Sequence, residues 1–274
     1  MEFRNDEKNF YIVGAECFSL AETLDCGQAF RWSEKDGVWQ AVVGNKLRRI
    51  SQEGDTITIF DCDKEEFETF YTPYFDLDRD YGEIVKAVSQ NEVFMKAVAV
   101  AGGIRILRQD PWETLCSFII SQNNNIPRIK GIIDRLCENF GNKTCGGYTF
   151  PSAEKIAALS LEDLSPLRSG FRAKYILDAA RKFASGEVSS DRINALSTDE
   201  ARAELMKIYG VGEKVADCTL LFGFGRIDAF PKDVWIKRAM AVLFDGVLPE
   251  CAVPFAGIAQ QYLFHYARMT KLTF

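Results

Sequence analysis

The spacing of apolar residues changes near residue 105, and this change constrains the fold more than any other feature of the sequence. Before it, short segments alternate polar and apolar residues and are separated by turn pairs such as Gly44-Asn45 and Gly54-Asp55. Alternation with a period of two between regular turns predicts an antiparallel sheet. The predicted strands are 38–43, 46–50 and 56–60, and two helices are expected after them at 64–71 and 81–98.

After residue 105 the sequence carries helix signals. Asp110 and Pro111 supply an N-cap acid and a proline at the first helical position, and Glu113 follows in the first turn. Further helix starts are predicted at Pro127, whose helix Gly141 should end, and at Ser152, Ser160 and Ser197, where a capping box with Glu200 opens a helix that ends near Tyr209. We therefore predict an α+β fold. It has a β-rich domain at 1–104 and an α-helical domain at 105–274 with a helix–hairpin–helix near 199–223.

Composition limits the classes of protein that this chain can represent. Hydrophobic residues make up 47% of the 274, which is enough for a packed core and argues against wholesale disorder. The sequence has no signal region and no apolar run of about 18 residues, so we expect a soluble intracellular protein without a membrane partner. The eight cysteines form no Cys-x-x-Cys pair and the one histidine is His265, so neither a disulfide framework nor a zinc site is expected.

Charge is distributed unevenly along the chain. The formal net charge of −6 argues, taken whole, against an electropositive nucleic-acid binder. Residues 1–100 carry 11 basic and 20 acidic side chains, whereas residues 101–274 carry 22 basic and 19 acidic ones. The acidic excess therefore belongs to the β-rich part, and the helical part has a small positive balance.

Two glycines, Gly210 and Gly212, separate two predicted helices. In so tight a turn they would permit positive φ and let another backbone approach closely. The first turn of the second helix would direct free N–H groups outward, an arrangement that suits a phosphate. Taken alone, the glycines favour an ordinary helix–turn–helix corner with glycine as the C-cap.

Lys214 and Asp233 favour a chemical interpretation of this region. Lys214 lies in the first turn of the second helix, where a cation gains no stability from the helix dipole. The same field and burial would favour the neutral, nucleophilic amine, although a solvated lysine is the alternative. Asp233 follows Pro231 at the start of a later helix, where it would act as N-cap and still present its second oxygen to a site.

Together these residues resemble the helix–hairpin–helix Gly/Pro…Asp DNA glycosylases, and within them the 8-oxoguanine DNA glycosylases, which also act as AP lyases. The resemblance rests on five segments in the family's order. They are 26–32, 105–111, 123–126, 210–218 with 231–234, and 257–260 with Phe264.

The resemblance implies an enzyme that flips 8-oxoguanine out of duplex DNA, opposite cytosine, and removes it with an amine nucleophile. Lys214 would be that nucleophile, and the strand would then be cleaved by β-elimination. Asp233 would stabilise the positive charge that develops on the sugar. No cofactor would be required for catalysis, the partner would be double-stranded DNA containing 8-oxoguanine, and the protein would be a monomer.

The resemblance assigns recognition of the flipped base to four residues. Phe264 and Cys218 would stack on its two faces, and Gln260 would bond its Watson–Crick edge. The carbonyl of Gly27 would accept the N7–H that 8-oxoguanine has and guanine lacks. Cys218 follows Lys214 by four positions and Phe264 follows Gln260 by four, so each pair shares a helix face.

Other matched residues would hold the DNA. Phe171 would be the wedge, where the family often has tyrosine, and Asn123, Arg128 and Arg172 would read the orphan cytosine. The expected backbone contacts are Gly210, Gly212, Val215 and Trp235, and the carbonyls of Met206, Ile208 and Val211 would hold a structural metal ion. Trp235 stands where related enzymes often have histidine, and Ala267 stands where its acidic partner is expected.

Two other functions fit parts of the pattern. An alkylated-base DNA glycosylase on the same scaffold uses the aspartate without the lysine, so Lys214 argues against it. A non-catalytic helix–hairpin–helix module that binds DNA would not need Asp233, Gln260 and Phe264 in addition.

Overall fold

Six strands within the first 60 residues form one antiparallel sheet in the computed structural model, which describes residues 1–270. They are β1 (Glu2–Asn5), β2 (Asn9–Val13), β3 (Ser33–Lys35), β4 (Val38–Val43), β5 (Lys46–Glu53) and β6 (Thr56–Phe60), in the order β1-β2-β6-β5-β4-β3. The three predicted strands are confirmed as β4, β5 and β6. Strand β5 runs three residues further than predicted, to Glu53.

Alternation decides which face of this sheet is buried. Ile57 and Ile59 of β6 are fully buried, and Ile59 is the register partner of both Phe10 in β2 and Ile50 in β5. This apolar face shares a core with aromatic side chains from the segment that follows the sheet, including Phe67, Tyr71, Tyr74 and Phe75.

Helix α1 (Leu20–Leu24) lies between β2 and β3. The segment between β6 and residue 105 contains α2 (Lys64–Glu66), a π-helical turn (Phe67–Tyr71), α3 (Thr72–Tyr74), α4 (Tyr81–Val88) and α5 (Glu92–Ala101). The predicted helix at 64–71 is therefore α-helical only at its start. The prediction of one helix at 81–98 is wrong. The side chain of Asn91 accepts the N–H groups of Val93 and Phe94, and so begins a new helix.

The helical part contains α6 (Pro111–Ser121), α7 (Ile126–Phe140), α8 (Ala153–Ala157), α9 (Arg172–Ala184), α10 (Ser190–Ala195), α11 (Thr198–Leu205), α12 (Glu213–Phe224), α13 (Val234–Phe244) and α14 (Ala256–Met269). Two short strands, β7 (Lys143–Thr144) and β8 (Gly147–Tyr148), pair with each other, and 3₁₀ turns span Ser165–Leu167 and Glu250–Phe255. With the sheet, these helices confirm the α+β class.

Most of the predicted caps are in place. The side chains of Asp110, Ser152 and Ser197 each accept an N–H from the first turn of α6, α8 and α11, and Gly141 ends α7. Ser160 makes the bond of an N-cap, with its Oγ accepting the N–H of Asp163, but the turn that follows leads into the 3₁₀ turn Ser165–Leu167, so no α-helix begins there.

Helices α6 and α12 cross the middle of the helical core. Phe118 of α6 and Phe222 of α12 stack with ring centroids 5.4 Å apart. The buried side chains of α4 and α5 also belong to this core, although both helices precede residue 105. The boundary between 104 and 105 stays a prediction. Across residues 1–270, no helix has both the length and the apolar character that crossing a membrane requires.

Candidate functional site

The turn between α11 and α12 has the predicted geometry in part. Helix α11 ends at Leu205 rather than near Tyr209, and turns lead from there to the start of α12 at Glu213. Gly210 has the expected positive φ of 81°, whereas Gly212 has φ −104°. Gly212 does not use the positive φ that glycine permits, because this residue is the extended N-cap of α12.

The first turn of α12 is open to an anion. No side chain caps this helix, and a Cβ on Gly212 would meet nothing within 4 Å. The N–H of Ala216 bonds the carbonyl of Gly212, so the N–H groups before it, up to that of Val215, lack partners within the helix. Oriented N–H groups beside an open backbone suit a phosphate oxygen.

Lys214 lies in the first turn of α12, as predicted, and its amine contacts the end of α6. Its Nζ is 3.3 Å from the Ser121 Oγ and 4.9 Å from the centroid of the Phe118 ring. The Ser121 hydroxyl donates to the Phe118 carbonyl at 2.8 Å, so it accepts an N–H from the lysine. Neither Ser121 nor Phe118 was predicted, since nothing in their local sequence indicates contact with residue 214.

Asp233 is confirmed as the N-cap of α13, with its Oδ1 accepting the N–H of Ile236 at 2.7 Å. Its charge and that of Lys214 both act on the thiol of Cys218. Burial is the larger effect and raises the pKa of Cys218 to about 11, with Lys214 opposing the rise and Asp233 adding to it. The thiol is therefore neutral at pH 7, and Lys214 and Asp233 both lie within electrostatic range of it.

The predicted base-recognition residues of α14 lie on one face of that helix. Gln260 is buried and accepts a hydrogen bond from Nε2 of Gln261 at 2.8 Å, while Phe264 is half-buried. One turn further on, a guanidinium N–H of Arg268 is 3.5 Å from the carbonyl of Asp25. This contact brings α14 next to the loop that contains Gly27.

Gln28 fixes the conformation of that loop. Gly27 has φ +90°, in the region that favours glycine. The Gln28 amide donates to the carbonyls of Thr23 and Arg105, both at 2.8 Å, and accepts the N–H of Leu107 at 2.9 Å. The side chain therefore ties the Gly27 loop to the strand-like segment before α6. The sequence placed Gln28 in a family segment but gave it no role.

The predicted wedge and opposite-base residues form one cluster. Phe171 precedes α9 and is 46% exposed, and the Arg172 guanidinium lies 4.5 Å from its ring centroid. Arg172 also donates to the carbonyls of Gln122 and Asn123. Asn123 is exposed and has φ +47°, a conformation that asparagine tolerates better than most residues.

Arg172 does not face solvent as a direct reader of cytosine would. It is 3% exposed, and its guanidinium is satisfied by three backbone carbonyls, the third being that of Ser169. Burial, reinforced by the nearby charge of Arg128, lowers its pKa. In this conformation Arg172 supports the Gln122–Asn123 turn from inside, whereas Arg128 is exposed at its edge.

A cleft of about 700 Å³ lies between the start of α12 and the segment that leads into α13. Its lining includes Lys214, Asp217, Phe230, Lys232 and Lys237. Trp235, two residues after Asp233, is 54% exposed, whereas Ala267 is buried in α14. An aromatic side chain is thus presented to solvent beside the start of α13.

The hairpin carbonyls offer only a weak cation site. In residues 1–270 no group of three or more histidine, cysteine or acidic side chains is placed to hold a metal ion. The three carbonyls of Met206, Ile208 and Val211 are neutral donors, and that of Ile208 already accepts the N–H of Val211 at 3.0 Å. Carbonyl oxygens are ligands that a hard cation accepts. The hydrogen bond between Val211 and Ile208 already closes this turn without an ion.

Comparisons with known proteins agree with this architecture. Residues 11–115 match the family model of the 8-oxoguanine DNA glycosylase N-terminal domain, and residues 116–245 match the HhH-GPD superfamily of base excision DNA repair proteins. The chain is 35% identical to the N-glycosylase/DNA lyase of Saccharomyces cerevisiae over 251 residues. That alignment covers 80% of this chain and 66% of the yeast protein, just under two thirds of its length.

Two solved structures resemble the whole chain. MBOgg1, in complex with a low-affinity DNA ligand, is 42% identical, with a TM-score of 0.91 and coverage of 98% of this chain and 99% of that one. The 8-oxoguanine glycosylase/lyase of Clostridium acetobutylicum, bound to double-stranded DNA with cytosine opposite 8-oxoG, is 37% identical, with a TM-score of 0.91 and 99% coverage of both chains. The chain belongs to the 8-oxoguanine DNA glycosylase family.

Proposed function

We propose that this protein removes 8-oxoguanine from duplex DNA, opposite cytosine, and then cleaves the damaged strand as an AP lyase. The observation that carries the proposal is the placement of Lys214. Its amine lies in the open first turn of α12, against the hydroxyl of Ser121, and its charge reaches the same buried thiol as that of Asp233. An amine in the open first turn of a helix, with a carboxylate in electrostatic range of the same buried thiol, suits attack on a sugar in a nucleic acid.

The excision step forms one bond and breaks another at the same carbon. The lone pair of the Lys214 amine attacks the anomeric carbon of the damaged nucleotide, and the glycosidic bond breaks with its electrons going to the base. The attached nitrogen, now an ammonium, loses one proton, which balances the proton that the departing base takes up. The Ser121 hydroxyl accepts one N–H of the amine and donates its own hydrogen bond to the Phe118 carbonyl, so it does not compete for that lone pair. Asp233 stabilises the positive charge of the sugar as the base departs.

The lyase step follows from the amine that stays bound. The remaining proton of the attached nitrogen moves to the ring oxygen as the C1′–O4′ bond breaks, and the C1′–N bond becomes the double bond of a Schiff base, which acidifies the neighbouring C2′ position. Loss of a C2′ proton then expels the 3′ phosphate oxygen, and the strand breaks. Hydrolysis of the Schiff base by water then releases the amine.

Recognition of the base rests on the surfaces around the amine. Cys218 is neutral and buried, so it offers a small apolar contact for one face of a flipped base, and Phe264 offers an aromatic one for the other. Gln260 supplies the amide for the Watson–Crick edge, and the Gly27 loop, held by Gln28, supplies the carbonyl for N7–H. Arg128 is the exposed cation for the orphan cytosine, while Phe171 fills the gap left by the flipped nucleotide.

A comparison of two lysine variants tests this proposal. Lys232 is an exposed lysine that lines the same cleft as Lys214, so Lys232→Gln is the matched control. The wild type and Lys232→Gln should both form a borohydride-trapped adduct with an 8-oxoguanine:cytosine duplex and release the base. Lys214→Gln should bind the duplex and do neither. Tight binding of the wild type without any adduct would refute the proposal, and release of an alkylated base without an adduct would favour the alkylation-repair alternative. The monomeric state, the intracellular location and the hairpin metal ion stay predictions.

A further inference from the structure

One face of α9 holds the loop of the hairpin through three separate contacts. The Tyr175 ring packs on Gly210, where an added Cβ would lie 2.5 Å from the ring atoms. The carboxylate of Asp178 accepts the backbone N–H of Tyr209 at 2.7 Å. One turn further, the Lys182 amine donates to the carbonyl of Lys207 at 2.6 Å.

These contacts use residues at helical spacing. Tyr175, Asp178 and Lys182 follow one another by three and four positions, so they form a single stripe along α9. Lys182 also pairs with Asp178 at 3.2 Å, which links the last two contacts of the stripe. We call these three residues the α9 stripe.

The same stripe continues to the wedge. Phe171 lies one turn before Tyr175, and the two rings meet edge to face with centroids 5.6 Å apart. Tyr175 meets the exposed ring of Tyr209 in the same way, at 5.1 Å. Tyr175 is therefore in contact with the wedge on one side and with the phosphate-binding turn on the other.

We propose that the α9 stripe sets the distance between the wedge and the hairpin, and that Tyr175 is the positioning residue that couples them. This inference rests on the proposed function. When the hairpin amides hold a phosphate, the stripe fixes where Phe171 meets the base stack, so backbone binding and insertion of the wedge occur as one event. Absence of a Cβ at Gly210 is what allows the Tyr175 ring to make this connection.

Two substrates separate this role from simple support of the hairpin. An 8-oxoguanine:cytosine duplex requires the wedge, because the base must leave the stack. An AP site in single-stranded DNA requires the hairpin and Lys214, but no base has to be flipped and no gap has to be filled. Excision on the first substrate and borohydride trapping on the second therefore report on different parts of the machinery.

Tyr175→Ala should lower single-turnover excision on the duplex by about tenfold, while its trapping on the single strand stays within about twofold of the wild type. Tyr175→Phe retains the ring and should restore excision. The control is Arg181→Ala, because Arg181 lies on α9 but is directed to the carbonyl of Leu159. Should Tyr175→Ala fold poorly, Asp178→Ala should give the same difference between substrates.

Two results would overturn the inference. Equal losses on both substrates would mean that the stripe only supports the hairpin, and unchanged duplex excision by a folded Tyr175→Ala would mean that no coupling exists. The double variant Phe171→Ala/Tyr175→Ala should lose little more excision rate on the duplex than either single variant does. A wild type that forms no adduct with either substrate would instead refute the proposed function.

Discussion

The amine of Lys214 lies 3.3 Å from the hydroxyl of Ser121, and this contact joins the start of α12 to the last residue of α6. The two residues are 93 positions apart in the sequence. The Ser121 hydroxyl donates its hydrogen bond to the Phe118 carbonyl, so toward the amine it acts only as a hydrogen-bond acceptor. A side chain that takes no part in bond making thereby determines where the nucleophile points.

Ser121→Ala should lower the rate of single-turnover excision by about fivefold, the size expected for one lost hydrogen bond that orients the amine. Duplex affinity, measured by fluorescence anisotropy, should not change, because Ser121 is not among the DNA-contacting residues. Ser121→Thr retains the hydroxyl and should stay near the wild-type rate. Wild-type excision by Ser121→Ala would show that the contact has no part in catalysis.

Asp233 caps α13 and also carries a negative charge, and two substitutions separate these two roles. Asp233→Asn still offers an oxygen to the N–H of Ile236, so thermal unfolding should be unchanged, while loss of the carboxylate should reduce turnover about 100-fold. Asp233→Ala should in addition lower the free energy of unfolding by ~1 kcal/mol. If Asp233→Asn weakened binding as much as turnover, the assigned role in charge stabilisation would be wrong.

Gly210 and Gly212 should respond differently to alanine. Gly210→Ala meets both a φ of +81° and the Tyr175 ring, so it should destabilise the fold by roughly 1–3 kcal/mol. Gly212→Ala has open space and an ordinary φ, so it should lower the free energy of unfolding by only about 0.5–1 kcal/mol, the cost of alanine at an N-cap. It should nevertheless weaken duplex binding about tenfold, because the methyl group stands between a phosphate and the helix amides. Wild-type affinity for Gly212→Ala would place the phosphate elsewhere.

Arg128 and Arg172 should also differ, because only one of them is exposed. Arg128→Ala should leave the free energy of unfolding within about 0.5 kcal/mol of the wild type and reduce the preference for cytosine opposite the lesion about fivefold. Arg172→Ala leaves the carbonyls of Gln122 and Asn123 without their donor and should cost about 1–3 kcal/mol of stability. Chemical denaturation together with excision from duplexes that differ in the opposite base measures both effects. Equal stability losses for the two variants would contradict this assignment.

The features predicted correctly from the sequence are mostly local. A cap such as Asp110 or Ser197 bonds an N–H three residues away, so its signal lies within one turn. The helix start at Asn91 also had such a signal, an asparagine before Glu92. The apolar periodicity continues across this position, so the sequence predicted one continuous helix.

The features that the sequence did not indicate depend on distant partners. Burial of Arg172 depends on carbonyls about 50 residues earlier in the chain. The Tyr175–Gly210 contact likewise joins α9 to the hairpin turn, and the Lys214–Ser121 contact joins α12 to α6. Periodicity identifies the buried face of a helix, but it does not specify which residue lies opposite.

The central claim is that the amine of Lys214 bonds the sugar of the damaged nucleotide, and the most direct measurement is to locate that bond. Wild-type protein is reacted with an 8-oxoguanine:cytosine duplex under borohydride, digested with protease and nuclease, and sequenced by tandem mass spectrometry. We predict that the reduced sugar remnant is attached to Lys214. Attachment to Lys232, Lys237 or any other amine, with Lys214 unmodified, would contradict the account.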